Sequence, residues 1–160
     1  MNVRLAEKTD LERVNVLRRQ VNDLHVAGRP DIFKPGFPKE LSDYIYVIRD
    51  DPEKEIVVAE SEGTVCGYAV LHRVRRPETP FMAAREYLDI DEFGVDPAFR
   101  RQGAAAAMVG YIRDFALRLG VRRVELNMWE FNRDALAFYT AAGFRTYRRY
   151  LEMEIGEETE

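Results

Sequence analysis

The sequence contains very little cysteine and no long apolar run. Its single cysteine, Cys66, cannot form an internal disulfide, so we expect a reducing, cytoplasmic environment. No stretch of about 18 consecutive apolar residues is present and no signal-peptide pattern follows Met1, so we expect no membrane association. With 24 Lys and Arg against 28 Asp and Glu, the net charge is −4. The chain therefore lacks the basic excess that binding to nucleic acid or to a membrane surface requires.

Metal ligands are also scarce. The two histidines, His25 and His72, form no metal-ligand spacing with each other or with Cys66, so the sequence predicts no metal site. Cys66 lies beside Gly67 in an apolar run, where core packing is the expected role.

The chain nevertheless has enough apolar residues for a core, at 46% of 160 residues. One domain is expected at about 150 residues per domain, which we place at residues 1–156 with a short acidic tail at 157–160. The apolar pattern predicts the element order β-α-α-β-β-β-α-β-α-β. This order predicts an α/β fold, a single-domain mixed sheet flanked by helices.

Local signals set the bounds of several elements. A capping box of Thr9 and Glu12 is expected to start the first helix, and Gly28 to end it. Residues 61–64 join two strand-like runs and predict a hairpin turn. The last predicted element is a strand or hairpin over residues 144–155.

The loop before Gly103 is the first segment that indicates chemistry. Four alanines follow this glycine, so backbone N–H groups at the start of the helix are free of side-chain bulk. Such a helix N-terminus can bind a diphosphate, and Arg100 and Arg101 could contact it. The pattern Arg-x-x-Gly-x-Ala is short, and an ordinary helix start explains it equally well.

The segment from Asn132 to Phe144 is more informative, because six of its thirteen positions form the pattern Asn-x-x-Ala-x-x-Phe-Tyr-x-x-x-Gly-Phe. Asn132, Ala135 and Tyr139 share one helix face. Asn132 can also cap this helix, and Gly143 can supply its left-handed end. Taken alone, Tyr139 would be interpreted as a tyrosine at the edge of the core.

Together the two segments resemble the GCN5-related N-acetyltransferase (GNAT) superfamily. The resemblance implies the acyl-CoA N-acyltransferase fold, with acetyl-CoA as the cofactor. It implies that the pyrophosphate binds along the loop, that the pantetheine arm pairs with the preceding strand, and that Asn132 hydrogen-bonds to this arm. It also implies that Tyr139 is a general acid at the sulfur, where a phenol can protonate or stabilise the leaving thiolate. The implied cofactor-binding residues are Phe93, Gly94, Val95, Arg100, Arg101, Gln102, Gly103, Ala104, Ala105, Asn132 and Tyr139.

The other reactant is expected to be an amine, which is mostly protonated at neutral pH and must lose a proton before it attacks. Asp89, Asp91 and Glu92 lie on the strand that enters the cofactor loop. We rank Glu92 first, Asp91 second and Asp89 third as the base, and Asp89 is also a candidate for substrate binding; solvated strand-edge charges are the alternative. Strand alternation puts Asp89 and Asp91 on one face and Glu92 on the other, unless a bulge at Gly94 resets the order.

Aromatic residues are candidates for the wall of the acceptor pocket. Phe33 lies in the irregular stretch between the first two helices and Trp129 follows a strand end; simple packing explains them equally well.

The resulting prediction is an N-acetyltransferase that moves acetyl to a primary amine by direct attack in a ternary complex. A small cationic amine is slightly favoured over a protein amine as acceptor, and a homodimer is a candidate assembly. The alternative is a non-catalytic sensor or interaction module that binds coenzyme A with the same fold. An unrelated nucleotide-binding domain remains only if the pattern from Asn132 to Phe144 is coincidence.

Overall fold

The computed structural model describes residues 1–156, and the predicted acidic tail at 157–160 lies outside them. Within this part, five strands and four α-helices follow one another along the chain. Their bounds are β1 Asn2–Leu5, α1 Leu11–Gly28, α2 Lys39–Asp50, β2 Lys54–Ser61, β3 Thr64–Arg76, β4 Arg85–Val95, α3 Ala104–Arg118, β5 Val124–Leu126 and α4 Arg133–Ala141.

The strands form one sheet in the order β1-β2-β3-β4-β5. All neighbours are antiparallel except β4 and β5, which are parallel. The predicted mixed α/β sheet is therefore confirmed. The predicted hairpin turn is confirmed as well: Ser61 pairs with Thr64, and Glu62 and Gly63 between them both have positive φ.

Helices cover both faces of the sheet. On one face, α1 and α2 bury apolar side chains against Ile56, Val58 and Val70. On the other face, α3 packs Ile112 and Ala116 against a second buried cluster that contains Val57, Ala69, Leu71, Leu88 and Ile90. Neighbouring residues of β2 contribute to opposite clusters, as strand alternation requires.

Strand β4 contains a bulge. Val70 of β3 pairs with Glu92 and Leu71 pairs with Ile90, so Asp91 is the extra residue. The bulge resets the side-chain alternation at Asp91, not at Gly94, and the predicted separation of Asp91 from Glu92 by alternation does not hold.

The pairing of β4 with β5 stops at Ile90 and Leu126. Beyond this point the edge of β4 that faces β5 is open. Because Asp96 N donates to Cys66 O on the β3 side, alternation directs the backbone groups of Phe93 and Val95 toward the open edge. The splayed ends of these parallel strands position the candidate site.

Two predictions of local structure are wrong. The capping box that precedes α1 is formed by Glu7 and Asp10 around a short 3₁₀ turn, not by Thr9 and Glu12. No strand or hairpin forms over residues 144–156 of the described chain, because Phe144 N donates to Tyr139 O at the end of α4 and the backbone of 145–156 has no partner there. Strand β5 covers only the three residues Val124–Leu126.

The remaining helix ends agree with the sequence. Gly120 and Gly143 follow α3 and α4 with φ of 73° and 97°.

Among the helices of residues 1–156, none combines the length and the apolar character needed to cross a membrane.

Candidate active site

The loop between β4 and α3 presents a row of free backbone donors. Gly103 is the N-cap of α3 with φ of 85°, and no side chain caps this helix. Within the described chain, the amides of residues 101–106 have no backbone acceptor. The loop is held from behind, since the Asp96 carboxylate accepts from Ala98 N at 2.9 Å and is paired with Arg13 at 2.5 Å.

A diphosphate fits this loop. Free N–H groups and the positive end of the α3 dipole both favour an anion. A side chain added at Gly103 would meet nothing within 4 Å, so the space above the amides is open. Arg100 and Arg101, which precede this glycine in the loop, are both exposed. These observations agree with a site for the pyrophosphate of coenzyme A.

A glycine is required at position 94 by the face of β4 that packs against α1. A Cβ atom at this position would lie 2.6 Å from Val21 Cγ2 and 2.9 Å from Tyr68 Cε1. Its missing side chain therefore allows α1 to approach the sheet.

Asn132 and Tyr139 lie on α4, across the open edge from β4. The Asn132 side chain accepts from Ala135 N at 3.2 Å and caps the helix, which leaves its amide NH₂ free to donate to a ligand. The ring of Tyr139 packs against Phe93 at 5.9 Å and Phe144 at 5.5 Å between centroids. Burial raises the pKa of Tyr139 to about 12, so the phenol is protonated at neutral pH.

Glu92 lies beneath α1 and is hydrogen-bonded there to two side chains. Its two oxygens accept from Arg18 at 2.9 and 3.1 Å, and one also accepts from the Tyr68 hydroxyl at 3.1 Å. Because its lone pairs are used in this way, Glu92 is a weaker candidate for the base than its place in the sequence indicates.

Asp89 and Asp91 form a second group of carboxylates. Burial, followed by a hydrogen bond that the protonated Asp89 carboxyl donates to Asp91 and by the charge of Asp91, raises the pKa of Asp89 to about 7. Lys54 Nζ lies 3.7 Å from Asp91 Oδ2. Two carboxyl groups that share one proton can accept a proton near neutral pH.

Aromatic side chains from three parts of the chain form one cluster. Phe33 stacks on His25 at 5.0 Å and meets Trp129 edge-on at 5.2 Å, and Phe131 contacts both His25 and Trp129. Burial lowers the pKa of His25, although the charge of Glu92 acts in the opposite direction. The two predicted pocket walls, Phe33 and Trp129, thus lie in one cluster, and His25 of this cluster lies close enough to Glu92 to feel its charge.

Sequence reasoning missed Arg18, whose side chain is 6% exposed. A signal was present: Leu11, Val14, Arg18 and Val21 share the i, i+3, i+7 stripe that faces the sheet. A charged residue on a buried stripe requires a partner, and here that partner is Glu92.

The sheet, its splayed parallel strands and the helices on both faces are those of the acyl-CoA N-acyltransferase fold. The model of the acetyltransferase (GNAT) family matches residues 19–144, and the chain belongs to that family.

Individual relatives share parts of the sequence or the fold. N-alpha-acetyltransferase RimI of Mycobacterium tuberculosis is 38% identical over 102 residues, which are 62% of this chain and 59% of that protein. The chain spans less than two thirds of the curated relatives it matches. A mutant of the BH1408 protein of Bacillus halodurans superposes with a TM-score of 0.92 at 27% identity, covering 97% of this chain and all of that one. The aminoglycoside acetyltransferase AAC(6')-Iy, solved with a CoA-linked bisubstrate analogue, has a TM-score of 0.75 at 19% identity, covers 97% of each chain and shares the fold.

Proposed function

We propose that this protein is an acetyl-CoA-dependent N-acetyltransferase that transfers acetyl to a primary amine by direct attack in a ternary complex. The observation that carries the proposal is the open edge of β4, with free amides of residues 101–106 at one end and Tyr139 packed against Phe93 beside it. Membership of the GNAT family supports the same activity.

Different residues of the chain are proposed to bind the different parts of the cofactor. The amides of the loop bind the pyrophosphate, with Arg100 and Arg101 beside it. The backbone groups of Phe93 and Val95 hydrogen-bond to the pantetheine arm, and the Asn132 amide donates to it. When bound, acetyl-CoA supplies the activated acetyl thioester.

We propose that Tyr139 acts on the leaving sulfur. A thiol has a pKa of about 8.5, so full transfer of a proton from a phenol of pKa about 12 is uphill by about 5 kcal/mol. Tyr139 therefore stabilises the departing thiolate mainly by donating a hydrogen bond.

We propose Asp89 and Asp91 as the proton acceptors for the amine. An amine of pKa about 10.4 must lose its proton at a cost of about 4–5 kcal/mol at neutral pH. A carboxyl group with a pKa of about 7 suits this task, whereas Glu92 is held by Arg18. We propose that the proton reaches this pair through water and that Glu92 orients the site.

The acceptor is proposed to be a small cationic amine. Its support is the aromatic cluster of Phe33, Trp129 and Phe131, because aromatic faces attract cations. The carboxylates of β4 support a cationic acceptor less than the sequence indicates, because Glu92 is already paired with Arg18 and Asp91 with Lys54. A protein N-terminal amine is the second candidate, favoured by the similarity to RimI.

Two measurements test the proposal. Acetyl-CoA at about 100 times its dissociation constant adds about 2.7 kcal/mol to the free energy of unfolding and raises the melting temperature by several degrees, whereas ATP does not. Mass spectrometry then follows acetylation of a panel that contains polyamines, aminoglycosides and short peptides. Acetylated peptides alone would select the second candidate, and cofactor binding without any product would support a coenzyme A sensor.

A matched pair of variants tests the loop. Gly103→Ala and Gly36→Ala each place a side chain at positive φ with no contact within 4 Å, so both cost about 1–2 kcal/mol of backbone strain. Only Gly103→Ala is expected to weaken acetyl-CoA binding. Equal affinity in the two variants would remove the loop from the site.

We further propose that residues 1–156 act as one domain in the cytoplasm and that the protein is a homodimer. The buried, unpaired thiol of Cys66 supports a reducing compartment.

A further inference from the structure

A row of ionisable side chains crosses four strands of the sheet, from β2 to β5. Each member pairs with the next across neighbouring strands, in the order Lys54, His72, Asp89 and Glu125. Side chains of residues paired in this way point to the same face of a sheet. Ile56, two residues after Lys54, packs in the apolar cluster under α1 and α2. The row therefore lies on the face of the sheet that these two helices cover.

Lys54 is the counter-charge of the aspartate pair formed by Asp89 and Asp91. Its Nζ atom lies 3.7 Å from Asp91 Oδ2, and the Lys54 and Asp91 side chains are 16% and 28% exposed. The same Nζ atom lies 5.9 Å from the centre of the Tyr44 ring of α2, and an aromatic ring face favours a cation. Within residues 1–156, no other cationic side chain forms an ion pair with either aspartate.

The separation between Lys54 and Asp91 determines how the ammonium can act. At 3.7 Å it is too long for a hydrogen bond, so Lys54 acts on Asp91 through its charge. The lone pairs of Asp91 stay available to accept from the protonated Asp89 carboxyl and from water. Glu92 is the contrast, because both of its oxygens accept from Arg18. The aspartate pair can therefore exchange a proton while it is held next to a cation.

The other ionisable neighbours of the pair are either occupied or uncharged at neutral pH. The charge of Glu125 acts from β5 against the ionisation of Asp89. Glu125 is itself bound by three donors, which are Arg85, Arg123 and Tyr147. His72 faces the pair from β3, and Tyr44 lies above Lys54 on α2. Of all these neighbours, Lys54 is the cation that contacts the pair.

We propose that Lys54 is a positioning residue of the active site: its ammonium keeps Asp91 ionised, so that the proton taken up by the pair is held on Asp89. The inference rests on the proposed function, in which the pair receives the proton of the amine. Once that proton has left through water, the nitrogen lone pair attacks the acetyl carbon and the bond from this carbon to sulfur breaks. The pair can take up the proton only when both carboxyl groups are ionised, and a nearby cation stabilises that doubly charged form.

Titration of the carboxyl groups tests this arrangement in the protein without ligand. Carbon-13 NMR follows the midpoint of Asp89, whose signal is the one that Asp89→Asn removes. Lys54→Met removes the charge and keeps an unbranched side chain, so we expect the midpoint to rise by about one pH unit. Lys54→Gln is a second neutral variant with the same expectation, and Lys54→Arg retains the charge and should keep the wild-type midpoint. Lys39→Met removes a cation that is 82% exposed on α2 and is the control that should leave the midpoint unchanged.

A double variant tests whether Lys54 acts through Asp91. In the Asp91→Asn background the anion that Lys54 stabilises is absent. Lys54→Met is therefore expected to move the Asp89 midpoint much less there than in the wild type. A midpoint that neither neutral variant moves, or that Lys54→Met moves equally in both backgrounds, would overturn the proposal.

The pH dependence of turnover separates this proposal from the proposed function. In Lys54→Met the rising limb of kcat/KM is expected to move to higher pH together with the NMR midpoint, and Lys54→Arg should restore it. A limb that stays in place while the midpoint moves would overturn the role of Lys54 in turnover. A midpoint that moves as expected in a protein that acetylates no amine would instead overturn the proposed function and support the charge arrangement.

Discussion

Arg18 and Glu92 form a two-point ion pair between α1 and β4, with Nε–Oε2 and Nη2–Oε1 distances of 2.9 and 3.1 Å. The guanidinium is 6% exposed and the carboxylate 28% exposed. Glu92→Gln leaves the buried cation without its counter-charge. We expect the free energy of unfolding to fall by about 2–3 kcal/mol, less than for a wholly buried pair because Glu92 contacts solvent.

Glu60 provides a matched control. Its side chain is 27% exposed and pairs with Arg4, but Arg4 is 31% exposed. Glu60→Gln is therefore expected to cost less than about 1 kcal/mol. Urea unfolding of both variants measures the difference, and equal losses would show that burial of Arg18 does not strengthen its pair.

The sequence could predict the layers of the fold and much of the site, because periodicity and local signals carry both. The loop before Gly103 and the pattern from Asn132 to Phe144 are local in the chain, and their resemblance to the GNAT superfamily is what indicates a cofactor site. The Arg18–Glu92 pair joins residues 74 positions apart, so the local pattern of α1 can indicate that Arg18 is buried but cannot identify its partner.

The position of the bulge in β4 and the absence of a strand after α4 could not be predicted from the sequence, for a different reason. Asp91 leaves the alternation because of how β4 registers on β3, which depends on both strands. Residues 144–155 have the alternation of a strand, but a strand also needs a neighbour, and sequence periodicity does not supply one.

Asp89 makes stability depend on pH. Its pKa is raised from the ordinary 3.8 to about 7, first by burial and then by Asp91. The folded chain therefore binds more protons than the unfolded chain between about pH 4 and pH 7, so this group lowers stability as pH rises through that window. Asp89→Asn removes the effect: we expect a variant that gains stability relative to the wild type on going from pH 5 to pH 8. Asp114→Asn, on the exposed side of α3, is the control. Its free energy of unfolding, measured in urea, is expected to differ from that of the wild type by the same amount at both pH values.

The same carboxyl group sets the expected pH dependence of catalysis. If the pair of Asp89 and Asp91 accepts the proton of the amine, kcat/KM rises with pH and levels off above about 7. Asp89→Asn is expected to shift or remove this limb. A limb that is unchanged in the variant would assign it to another group or to the amine itself.

Tyr139 is expected to contribute to turnover and not to cofactor binding. Within the described residues the Tyr139 hydroxyl makes no hydrogen bond and is not a buried, unsatisfied group, so Tyr139→Phe leaves the packing intact. We expect kcat to fall about 100-fold, with the dissociation constant of acetyl-CoA within about twofold of the wild type. Tyr46→Phe on the surface of α2 is the control and should change neither. An unchanged kcat in Tyr139→Phe would remove the tyrosine from the chemistry.

Gly94→Ala tests the close contact between α1 and the sheet. The added methyl would lie 2.6 Å from Val21 and 2.9 Å from Tyr68, so α1 must move. We expect a loss of about 1–3 kcal/mol in the free energy of unfolding. The displacement also disturbs the hydrogen bond from Tyr68 to Glu92 and, with it, the position of Arg18. Adding Val21→Ala removes the nearest clashing atom, so the double variant should lose less stability than the sum of the two single changes.

Gly110→Ala is the opposite case within the same protein. Gly110 lies inside α3, and a methyl added there would meet nothing within 4 Å. Alanine favours the helix, so we expect a gain of about 0.5–1 kcal/mol. Urea unfolding of both alanine variants should therefore move the midpoint in opposite directions. A Gly94→Ala midpoint equal to that of the wild type would mean that α1 can withdraw from β4 at no cost, and Gly94 would then be explained by the cofactor edge of the strand alone.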